Sequence, residues 1–191
     1  MTVTYDRIRR DLLALLGESP GLSPILEEGE ESGVLTLEEQ LMVLLPSVAV
    51  EATLATPRLQ LDEIEKASPQ IEWNATGTAA RIPLPADYLK FYSLRMAGWD
   101  RAVTEPEKPG TLREGLGAGC PSWMACAENP LVIEGRGDSG RFLTVVGIEG
   151  RPDGVEELLY VPLPRLTEKK LRISGAAYPV MLRLLVSRVS S

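Results

Sequence analysis

The hydrophobic period of this chain changes once, within Arg81–Arg101, and that change limits the fold more than any other feature. Ahead of it, apolar residues recur at helical spacing. Beyond it, as far as Ser174, they alternate or come in short runs between turns. Ile82 and Leu84 each precede a proline, which disfavours helical backbone, so Ile82-Pro83-Leu84 is predicted to be extended. Pro85 can then open a short helical turn, with Asp87 at its positive end. From Lys90 the chain alternates: Phe91, Ser93 and Arg95 fall on one side, Tyr92, Leu94 and Met96 on the other. That is a strand pattern, and Gly98 ends it before Trp99-Asp100-Arg101. A chain that is helical ahead of such a stretch and extended after it is α+β.

Three helices are predicted, over about 5–16, 36–55 and 175–188. In the first, Ile8, Leu12, Leu15 and Leu16 form the apolar stripe, Thr4 is the N-cap and Gly17 the stop. The second opens on Thr36-Leu37-Glu38-Glu39, a capping box, and continues through Leu41, Leu44, Leu45, Val48 and Ala52. Pro46 lies inside it and is predicted to kink or split it, because proline has no N–H to give. In the third, Ser174 or Gly175 is the cap, Pro179 sits in the first turns, and Tyr178, Met181, Leu182, Leu184 and Leu185 are apolar. Neither terminal helix can bury its stripe alone. The N- and C-terminal helices are therefore expected to form an antiparallel bundle within a single domain, 1–191. A block of strands and hairpins over about 71–165 is inserted between them.

Within that block, Ile71–Leu84 reads as a hairpin-like pair turning at Asn74-Ala75-Thr76-Gly77. Further strands are predicted at Ser122–Ala127, Leu131–Glu134, Phe142–Ile148 and Leu158–Leu163, with a glycine-rich hairpin turn at Gly135–Gly140 and another turn at Gly147–Gly154. Glu18–Gly33, with one turn at Pro24–Glu28, and Thr104–Gly119 are rich in Pro and Gly and read as loops. Thr167–Ser174 reads as a link.

Composition removes several functions. The 191 residues carry a formal net charge of −7, unlike a dedicated binder of nucleic acid or anionic membrane. No run approaches the roughly 18 apolar residues of a spanning helix, and the first residues lack the basic and apolar regions of a secretory signal. There is no histidine, which removes Ser-His and Cys-His pairs, histidine metal sites and the commonest general base. Two cysteines, Cys120 and Cys126, cannot make a four-thiolate zinc site and read as reduced, partly buried thiols. Neither a cofactor nor a metal is expected. Arg136-Gly137-Asp138 reads as a turn and not as an adhesion signal.

The order of elements and three sequence pieces resemble the head–tail connector proteins of tailed phages, of the adaptor kind. Ser47-Val48-Ala49-Val50-Glu51-Ala52 is similar to the family's second helix. Ile82-Pro83-Leu84-Pro85-Ala86-Asp87-Tyr88-Leu89, followed by Gly98-Trp99-Asp100-Arg101, resembles its Leu-Pro-x-Asp-aromatic-Leu and Gly-Trp signature. Leu159-Tyr160-Val161-Pro162-Leu163-Pro164, then Ile173-Ser174 and a last helix, resembles its closing segment. The resemblance spans about Tyr5 to Ser187. It departs at Pro46 and at Thr104–Gly119. It implies a structural protein without catalytic residues, which joins copies of itself into a ring between the portal and a tail or stopper protein. Such a ring sits in the virion neck, is made in the bacterial cytoplasm, and lets DNA pass without sequence-specific binding. Trp99, Arg101, Arg136 and Asp138 are the expected contacts to neighbours or partners.

Two other classes remain open from the residues. A hydrolase would need two carboxyls about 5–9.5 Å apart, with Asp87 and Asp100, or Glu134 and Glu149, as the candidates. A host-encoded binding module would present Trp73, Trp99 and Trp123.

Overall fold

The computed structural model describes residues 1–17, 36–75, 79–110, 126, 128–138, 140–146, 154–167 and 169–189. The turn expected at Pro24–Glu28 lies outside them. So do most of the Ser122–Ala127 strand, the Gly147–Gly154 turn and the second half of the Thr104–Gly119 loop. The described residues are α+β and divide into two compact units. One joins Met1–Glu63 to Leu163–Ser191; the other is Ile64–Pro162.

The first unit holds α1 (Tyr5–Leu16), α2 (Leu37–Ala55) and α3 (Ala177–Val189). Thr4 caps α1 by accepting from the Arg7 N–H, and Gly17 ends it in the left-handed region at φ 78°. Thr36 and Glu39 form the capping box at the start of α2. Pro46 does not split α2, which runs unbroken. Pro46 and Met42 both face solvent, so water can serve the carbonyl that loses its partner, while Leu41, Leu45, Val48, Ala49 and Ala52 are buried on the opposite face. The third helix lies against both others. Its Tyr178 hydroxyl donates to Asp11 Oδ2 at 2.7 Å, and Arg188 pairs with Glu51 of α2.

This unit is not made of helices alone. β1 (Thr2–Thr4), β10 (Lys170–Arg172) and β9 (Arg165–Leu166) form a three-stranded antiparallel sheet in the order β1-β10-β9. Val3 pairs with Leu171, and both are buried. The stretch read as a link, Thr167–Ser174, thus contains a strand, β10. Each strand of this sheet is too short for a period to be legible.

The second unit holds two antiparallel sheets. One has the order β2-β8-β5, with β2 at Glu65–Ala67, β5 at Tyr88–Met96 and β8 at Val155–Pro162. The other is β3-β4-β7-β6, with β3 at Glu72–Trp73, β4 at Ala79–Pro83, β6 at Leu131–Gly137 and β7 at Gly140–Val146. The β3–β4 and β6–β7 hairpins are those the sequence predicts, the second closing at Gly137 opposite Gly140. Both sheets feed one core: Ile82, Val132, Leu143 and Val145 from one, and Phe91, Leu94, Met96 and Leu158 from the other. Each such burial contributes about 1.5–3 kcal/mol.

The central stretch differs from its prediction in two ways. Pro85 opens no helical turn. Tyr88 N–H donates to Pro85 O at 3.0 Å, so a tight turn carries β4 directly into β5, and Asp87 sits within that turn and not at a helix end. Nor does β5 keep strict alternation. Register shifts next to Leu89 and Tyr92 put Phe91 and Leu94, three apart, into the same core.

Candidate functional site

The β5–β8 register brings two tyrosines together. The Tyr88 and Tyr160 rings stack at 6.0 Å between centroids, 26° apart in plane. The Tyr88 hydroxyl donates to Glu134 Oε2 at 3.0 Å. The Tyr160 hydroxyl is 3.0 Å from Asp87 Oδ1 and 3.3 Å from Glu65 Oε2. Arg141 crosses this cluster, with its guanidinium 5.7 Å from the centre of the Tyr88 ring and Nη1 donating to Leu89 O at 3.3 Å. Burial pushes the Tyr88 phenol far above the ordinary tyrosine range, and the charge of Glu134 pushes the same way. Burial raises Tyr160 too, followed by its bond to Asp87. Both hydroxyls are therefore neutral donors at ordinary pH. Their chemistry is to hold carboxylates, and Asp87 and Glu134 are held by different tyrosines.

Beside this cluster the chain makes an edge. After the turn at Gly98 (φ 83°), Val103 pairs with Leu94 of β5 and Glu107 pairs in parallel with Ile133 of β6. The segment 101–109 thus ties the edges of the two sheets together. A cleft of about 510 Å³ lies between Pro106–Pro109 and Glu134–Arg136, with Arg141 on its wall. A smaller one, about 230 Å³, lies on the Arg101–Glu107 side against Pro130–Val132.

Gly135 shapes the floor of the larger cleft. It pairs with Phe142, and a Cβ at Gly135 would lie 2.8 Å from that ring. The glycine lets the ring cover the backbone, with the Arg81 guanidinium 3.8 Å from the ring centre.

The expected contact residues fall into different places. Trp99 is 3% exposed and belongs to the core of the second unit, so it presents no surface to a partner. The Gly-Trp turn places it there: Trp99 N–H donates to Met96 O at 3.1 Å, and the side chain folds back over the strands. Arg101 is exposed, lines the smaller cleft and reaches Asn129 Oδ1 at 3.4 Å. Arg136 is exposed on the larger cleft, and Asp138 is exposed at the hairpin tip. Of the carboxylate candidates, Asp100 is exposed beyond the turn, and Glu149 lies outside the described residues. Trp73 packs against the core rather than opening a groove, and Trp123 lies outside the described residues. Cys126 carries a free thiol that donates to Glu128 at 3.5 Å; Cys120 lies outside. Among the described residues no group of three or more His, Cys, Asp or Glu could hold a metal ion. Among them also, no helix is long and apolar enough to cross a membrane.

Sequence reasoning did not find Glu65, Tyr160 and Arg141 as neighbours of Asp87 and Tyr88, because their meeting depends on strand register across distant segments. For the cleft, by contrast, Pro106-Glu107-Lys108-Pro109 carries a local mark, two prolines bracketing a short charged segment. No family model matches the chain, and no curated protein is significantly similar to it.

Proposed function

We propose that this protein is a structural component of a phage or prophage particle, a head–tail connector whose copies join into a ring between the portal and the tail. One observation carries this reading. Both ends of the chain contribute helices to one unit, and a continuous strand-rich unit is inserted between them, in the order the sequence resemblance implies. The surface of the first unit agrees. Leu15, Met42, Val43, Leu54, Leu59 and Leu163, the exposed large apolar side chains among the described residues, all lie in it. On α2, Val43, Pro46, Val50 and Leu54 follow one another along a single face, opposite the buried one. Val50 is half-buried and the other three are exposed, and an apolar stripe of this kind is what contacts between protomers consume.

On this reading the net charge of −7 suits a wall past which DNA moves without being gripped. The ring sits at the virion neck, its protomers are made in the host cytoplasm, and no residue is catalytic. Asp87 and Glu134 each accept from a tyrosine hydroxyl, a structural use of a carboxylate that agrees with this reading. The alternative, a host-encoded protein-binding module, is favoured by the cleft beside β6.

Native mass spectrometry and electron microscopy of the protein, alone and mixed with a candidate portal, test the connector reading. Ring-shaped particles or a stable portal complex are expected. A protein that stays monomeric at high concentration and ignores the portal would sink it.

A further inference from the structure

We propose that the outer edge of β6 at Glu134–Arg136 is a docking site for an extended peptide segment with acidic side chains. An interruption in pairing builds this edge. Glu107 joins β6 in parallel: its N–H donates to Val132 O at 2.8 Å, and its carbonyl accepts from Glu134 N–H at 3.1 Å. By its own period the ladder would next ask residue 109 to donate to the Glu134 carbonyl and accept from the Arg136 N–H. Residue 109 is proline and has no proton to donate. Among the described residues the pairing begun at Glu107 stops there, and the cleft of about 510 Å³ opens where the next pair would lie.

The direction of the Arg136 backbone follows from the same alternation. Val132 and Glu134 turn their hydrogen-bonding groups toward Glu107 and away from β7. Arg136, two residues on, turns its N–H and C=O the same way. An extended chain laid along this edge continues the sheet through those groups.

Charge selects the occupant. The chain as a whole is acidic, at −7, yet three cations, Lys108, Arg136 and Arg141, line this cleft against two carboxylates, Glu107 and Glu134. The Glu134 carboxylate is turned to the Tyr88 hydroxyl. Acidic side chains on every second residue of the incoming strand meet the cations, and basic ones are repelled. Backbone hydrogen bonds supply affinity, and the side chains supply the choice of partner. Ring assembly is not required, so a wholly monomeric protein can pass the test.

Fluorescence anisotropy on the intact chain provides that test, with a labelled peptide of alternating glutamate and valine as the probe. Saturable binding is expected. A lysine–valine peptide, and the acidic peptide N-methylated at alternate residues, should each bind about tenfold more weakly or worse. Arg136→Glu should weaken the acidic peptide by a similar factor. So should Arg136→Pro, which deletes the outward N–H and spares the bonds to β7. If Arg136→Pro fails to fold, Arg136→Glu together with slowed hydrogen exchange at the wild-type Arg136 amide decides the matter. Equal binding of the acidic and basic peptides, indifference to N-methylation, or wild-type affinity in Arg136→Glu would each overturn the proposal.

Discussion

Asp87 accepts the Tyr160 hydroxyl across 3.0 Å, from the turn before β5 to the middle of β8. The same hydroxyl lies 3.3 Å from Glu65, so one donor and two carboxylates bring three different segments together. This bond fixes the Pro85–Tyr88 turn to the sheet that follows it.

Tyr160→Phe keeps the ring and its stacking on Tyr88 and removes only the donor. It should destabilise the protein by about 1.5–3 kcal/mol, a hydrogen bond to a charged group being worth that much. Denaturant unfolding measures it. A loss no larger than the scatter between repeated wild-type measurements would mean that the bond contributes nothing.

The two phenols set an alkaline limit. Their folded pKa values are raised above the ordinary tyrosine value of about 10. Above pH ~10 the unfolded chain gives up these protons while the native state keeps them, so native stability is complete below that pH and falls as pH rises. Absorbance titration near 295 nm should show Tyr88 and Tyr160 ionising only with unfolding. Tyr160→Phe should remove one such late proton.

Asp62 predicts the opposite, acidic dependence. Its Oδ1 accepts from the Ser174 hydroxyl at 2.6 Å and from Gly175 N–H at 3.0 Å, so a residue far back in the chain caps the start of α3. The Ser174 bond foremost holds the Asp62 carboxyl below its usual range, against a smaller opposing effect of burial. The stability it adds is present above the unfolded value near 3.9 and is lost as pH falls through the lower folded value. Asp62→Asn should cost about 1 kcal/mol at pH 7 and shrink that acid dependence. An unchanged pH profile would count against it.

Gly135→Ala puts a methyl group where the Phe142 ring now lies, 2.8 Å from its nearest atoms. A cost of about 1–3 kcal/mol is expected. Phe142→Leu should recover part of it, read as a coupling energy in a double-mutant cycle. Strict additivity would show that the ring does not rest on the glycine.

Pro46→Ala restores an N–H to an exposed position inside an unbroken helix. Thermal unfolding should rise, with a gain of about 1 kcal/mol or more, since proline is disfavoured there by up to about 3. A fall in stability would show that Pro46 itself is packed.

What the sequence determined by itself was local. Thr4, Gly17, Thr36 and Glu39 set the ends of α1 and the start of α2 through contacts no more than four residues apart. The hairpin around Gly137–Gly140 and the α+β class rest on period and glycine placement within short windows. Tertiary structure decided the rest. The β1-β10-β9 sheet joins strands of two or three residues from opposite ends of the chain, too short to show a period. The bulges in β5 moved Phe91 and Leu94 into one core, against the alternation. Asp87 became a partner of Tyr160 instead of a helix cap, and Asp62 joined Ser174 at the start of α3. Each outcome depends on register or on a partner at least twelve residues away. Local sequence specifies conformation, but only packing specifies which distant group stands opposite.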